Sequence, residues 1–174
     1  MRQSVASLVE ELINVLENEK ILYEELVEVE KQKTKIIVAG DVPALEQLTV
    51  IEQQKSDELL AFSNKQIRIL NDIKNVLGKG EEKITVTTLI GFLSSQPNIQ
   101  EKLTIARDDL MTVAKKVHAI NKENEILLRQ AIEMTEFDIT LFKSMRQAPE
   151  TANYNKNAHN TGMLLGSSSF DAKQ

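Results

Sequence analysis

Apolar residues recur at alternating steps of three and four along the second half of the chain: Ile99, Leu103, Ala106, Leu110, Val113, Val117, Ile120, then Leu127, Ala131, Met134, Leu141 and Met145. The same rhythm falls on two polar residues, Asn124 and Asp138. This is the spacing of a coiled-coil seam. A helix over that span runs roughly 70 Å at about 1.5 Å per residue, too long for a small compact core to cover its stripe. The pattern therefore predicts other helices beside it.

A second seam opens the chain with Val5, Leu8, Leu12, Val15, Glu19, Leu22, Leu26, Val29, Lys33 and Ile36, and Val9, Leu16 and Tyr23 widen its face. Gly40 suits the left-handed position after a helix, Asp41 can accept from the free amides of the next one, and Pro43 is tolerated in a first turn. The second helix has Leu45, Leu48, Ile51, Leu59, Phe62, Ile69, Ile73 and Val76 as core candidates. Its middle, Glu52 to Glu58, is wholly polar, which predicts either poor packing or a wet, exchangeable surface. Gly78 and Gly80 end it. Thr85 then caps a short helix anchored by Leu89, Ile90, Phe92 and Leu93, and Gln96-Pro97-Asn98 opens the last one. A strand over Ile84 to Thr88 fits the β-branched residues but would have no partner.

These elements predict an all-α fold: an elongated antiparallel bundle or coiled coil of three long helices, with a short connecting helix and a flexible C-terminal tail. The helices fall at about 4–38, 42–77, 86–94 and 99–147, giving a bundle over 1–148 and a polar tail over 149–174. First and second helices of this length span roughly 50 Å, so about 20 Å of the last lacks a permanent partner if one end is aligned. That portion includes Met134, Phe137, Leu141, Phe142 and Met145, a flexible apolar set suited to another amphipathic helix. Homodimerisation or the short helix is the alternative cover.

Charge and composition narrow the chemistry. The net charge of −5 argues against nucleic acid, whose phosphates reward clustered Lys and Arg. No apolar run approaches the ~20 residues of a membrane span, and Met1-Arg2-Gln3-Ser4 leads into Glu10 and Glu11 without a signal-peptide core. With no cysteine, the cytoplasm is the default compartment. The two histidines, His118 and His159, lack metal-site spacing, and adjacent acids such as Glu10-Glu11 point about 100° apart on a helix. Nucleophile elbows, zinc spacings and nucleotide fingerprints are missing, so the reading is of a non-enzymatic protein with no metal and no cofactor.

Asn124 stands out because a buried carboxamide costs roughly 1 to 3 kcal/mol unless its hydrogen bonds are met. Either it pairs across the bundle and pins helix register, or Asn121 and Asn124 present amides to a partner beside an apolar groove. In the tail, Tyr154, Met163-Leu164-Leu165 and Phe170 look like contact residues of a docking peptide, against the plainer reading of an inert extension.

The Ala39-Gly40-Asp41-Val42-Pro43-Ala44-Leu45 junction, the Thr88-Leu89-Ile90 turn and, above all, Asn121-x-x-Asn124-x-x-Leu127-Leu128 resemble the FlgN-type flagellar export chaperones. The resemblance implies a cytoplasmic protein that binds the amphipathic C-terminal helical region of hook-associated, hook-filament junction proteins. It also implies delivery to the flagellar type III export gate. Cargo contacts would then fall on Asn121, Asn124, Leu127, Leu128, Met134, Phe137, Leu141, Phe142 and Met145, and gate docking on Tyr154. A coiled-coil adaptor whose seam serves only self-association is the second reading.

Overall fold

The computed structural model describes residues 4–80 and 82–147, so the expectations for Tyr154 and for the tail over 149–174 lie outside the described residues. Four helices follow one another: α1 (Val5–Ala39), α2 (Val42–Val76), α3 (Val86–Phe92) and α4 (Pro97–Gln147). No strand occurs among the described residues. The ends follow local chemistry. Ser4 accepts from the Ser7 amide at 3.2 Å to start α1, and Gly40 ends it at φ 68°. Asp41 accepts from the Ala44 amide at 3.0 Å, so the reversal into α2 takes only two residues. Thr85 and Thr88 form a reciprocal capping box at the start of α3.

The described residues divide into two compact units, one ending at Ala131 and the other beginning at Ile132. In the first, cross-helix partners reveal helix direction. Glu11 pairs with Lys65, Glu25 with Lys55 and Lys33 with Glu52, descending along α2 as they ascend α1, so these two helices are antiparallel. Lys20 meets Asp109 and Glu30 meets Asn124, ascending on both helices, so this part of α4 runs parallel to α1. The short α3 makes that return possible. Its Val86 and Leu89, with Ile84 and Leu93, close one end of the core against Leu8, Leu12, Ile73 and Leu103. A second apolar cluster joins Leu26 and Val27 to Val117, with Tyr23, Leu59, Val113 and Ile120 around it.

Several core expectations need correction. Ile51 and Val76 are exposed, and α2 fully buries only Leu48, Ile69 and Ile73. In its polar middle Glu52 and Lys55 pair with α1, and Ile51, about 100° from Glu52 round the helix, turns outward. That middle is therefore stitched by ion pairs. Phe92 is also exposed, with the Lys79 ammonium 3.7 Å from its ring centre. Glu19 sits on the core face of α1 and is buried, and burial pushes its carboxyl up to about 7.

Candidate partner-binding site

Asn124 is 1% exposed and its carboxamide is fully engaged. The Nδ2 group donates to the Glu30 carbonyl at 2.9 Å and to Glu30 Oε2 at 2.7 Å, while Oδ1 accepts from the Thr34 hydroxyl at 2.6 Å. Glu30 is itself buried, and its carboxyl is raised above the ordinary range mainly by loss of water. The Asn124 bond opposes that rise, the neighbouring Glu52 carboxyl adds to it, and Lys33 opposes it. Lys33 meanwhile binds both Glu52 oxygens, at 3.1 and 2.9 Å. Residues from α1, α2 and α4 thus close one polar layer.

In this chain on its own, Asn124 turns its carboxamide into the bundle rather than toward the surface. Its register role is what the geometry displays. Asn121 is exposed, and Leu127 and Leu128 are half-buried. Glu30 and Thr34 were missed as its partners. Neither carries a sequence signal, since a glutamate beside a seam reads as a solvated face.

The second compact unit contains the remaining part of α4. Met134, Phe137, Leu141, Phe142 and Met145 are all exposed there, from 48% at Leu141 to 69% at Met134. Ile132 and Ile139 are exposed as well and were overlooked, although their positions next to the seam were legible. Contiguous apolar exposure of this kind marks an interaction surface more often than a bare one. Asp138, the other polar break in the seam, is exposed. Among the described residues, no group of three or more acidic, His or Cys side chains is placed to hold a metal. A trough between α1 and α4 in the first unit, lined by Glu10, Ile13, Glu17, Ile21 and Ile105, is crossed by the Lys20–Asp109 pair at 3.4 Å and contains none of the expected contact residues.

A family model described as FlgN protein matches residues 1–162. The chain belongs to the FlgN family. That is a family of flagellar export chaperones and not of enzymes, and the role comes with membership. The FlgN match extends past the described helices to include Tyr154 and stops before Met163. No curated protein matches the chain, and no solved structure does. No helix among the described residues is long and apolar enough to cross a membrane.

Proposed function

We propose that this FlgN-family chaperone works in the cytoplasm, holding the amphipathic C-terminal helical region of hook-associated proteins and delivering them to the flagellar type III export apparatus. The observation that carries the reading is the exposed set Met134, Phe137, Leu141, Phe142 and Met145 on one helix. Helix-in-groove capture buries the partner's stripe on such a face, and two methionines and two phenylalanines around a leucine adapt to several partners. The acidic balance of the chain keeps the complex soluble.

The test is co-purification with junction proteins that carry or lack their terminal helix. Selective retention of the helix-bearing form is expected, and equal retention of both would remove cargo capture. A free chain whose solution mass is a stable dimer, with these residues shielded, would instead assign the face to self-association. For Tyr154 the proposal is gate docking: Tyr154→Ala should weaken binding to the export gate while leaving cargo binding intact. Lost cargo binding with unchanged gate binding would contradict that division.

A further inference from the structure

The part of α4 in the second unit is apolar over far more of its circumference than one partner helix can cover. At about 100° per residue, its side chains form two arcs, with Thr135, Asp138 and Arg146 interspersed on the apolar one. Lys143, Glu136, Gln147, Thr140, Glu133 and Ser144 make up the polar one. The other, roughly 220° wide, holds every exposed large apolar residue from Ile132 onward, and a single core-facing stripe needs only about 100°.

The wide arc resolves into two seams. Met134, Asp138, Leu141 and Met145 form one, flanked by Phe137. Ile132, Thr135, Ile139, Phe142 and Arg146 form the other at the same alternating steps, about 110° further round. A shallow trough lies along the second seam, lined by Thr135, Asp138, Ile139, Phe142, Lys143 and Arg146. The cationic groups lie on one side only: Lys143 borders the second seam and the Arg146 guanidinium sits 4.7 Å from the Phe142 ring centre, while Asp138, at the edge of the first, lies between the two seams.

Resting on the cargo reading above, we propose that this segment receives two amphipathic helices of one partner chain side by side, the one on the second seam edged with carboxylates that meet Lys143 and Arg146. A lone helix on the first seam would leave Ile132, Ile139 and Phe142 in water. Two helices complete a three-helix cross-section in which only the narrow polar arc stays wet. Because Lys143 and Arg146 lie beside the second seam alone, the two positions are non-equivalent, which sets the order of the captured helices.

The absence of cysteine makes the test direct, because single thiols can be introduced as reporters. Met134→Cys marks the first seam, Ile139→Cys the second and Glu136→Cys the polar arc. All three positions are exposed, so the substitutions leave the fold intact. Maleimide labelling rates are compared for the free full-length chain and for its complex with a purified junction protein, whose 1:1 mass is checked by light scattering. At least tenfold protection at both 134 and 139, with 136 unchanged, is the expected result. Lys143→Glu with Arg146→Glu should then weaken the complex about tenfold and expose 139 before 134. Protection at 134 alone overturns the two-helix proposal and leaves cargo capture standing. Protection at neither position removes cargo capture as well. A 1:2 complex, or a thiol at 139 already shielded in the free chain, assigns the second seam to another occupant and overturns the proposal.

Discussion

Asn124 and Glu30 show how a polar residue survives in a helical seam. Each supplies what the other lacks: an amide donor for a dehydrated carboxyl, and an acceptor that keeps the amide from being orphaned. Asn124→Leu fills the space but removes the amide donor from the Glu30 carboxyl, while the Thr34 hydroxyl keeps its bond to the Glu30 carbonyl at 3.0 Å, so a loss of roughly 1–3 kcal/mol is expected in urea denaturation. Glu19 makes the opposite case, since burial alone accounts for its raised carboxyl. A folded-state value of about 7 against 4.5 means that the folded chain holds this proton more tightly. The resulting stabilisation is complete below about pH 4.5 and is lost as pH rises through about 7. Subtracting the stability profile of Glu19→Gln from that of the native chain should isolate that fall, and a flat difference between pH 4 and 8 would show that Glu19 is hydrated.

Among the elements, α2 is the instructive one. Its hydrophobic pattern is weak in the middle, and there Lys33, Glu52, Glu25 and Lys55 replace apolar contacts with α1. The Lys33–Glu52 pair is the most enclosed of these, and Glu30 lies beside it. Removing Lys33 alone leaves two carboxyl groups facing each other. Lys33→Met is therefore expected to cost about 1–3 kcal/mol, while Lys33→Met with Glu52→Leu comes close to the native chain, a contrast that a double-mutant cycle reads directly. Helix ends and turns were legible because Gly40, Asp41 and Thr85 act on amides and carbonyls within a few residues and Pro43 fits a first turn. Burial along α2 was not. Ile51 and Glu52 are neighbours in sequence, and only the direction of α1 decides which turns inward.

At the scale of the whole molecule, the stable bundle and the exposed face belong to different compact units, so stability and binding should separate on mutation. Met134→Ser with Leu141→Ser removes apolar groups already in water. It should change the unfolding free energy by no more than about 0.5 kcal/mol, while reducing capture of a junction protein at least tenfold in a pull-down titration. A large loss of stability would mean that the face is covered within the chain itself. FlgN-family membership was likewise legible in the sequence, through the junction after α1 and the Asn121 to Leu128 cluster.

Asn124 and Asp138 occupy equivalent positions in the same heptad rhythm, and on sequence grounds they are the same kind of defect. Helix formation, capping and the rhythm itself depend on neighbours three or four residues away, so the chain by itself determined them. Whether a seam residue is buried depends on residues some ninety positions distant: Glu30 and Thr34 on α1 enclose Asn124. Asp138, in the other unit, stays in water. Only the tertiary structure could separate a register pin from a surface left open, because burial follows from which helices meet and no local pattern encodes that meeting.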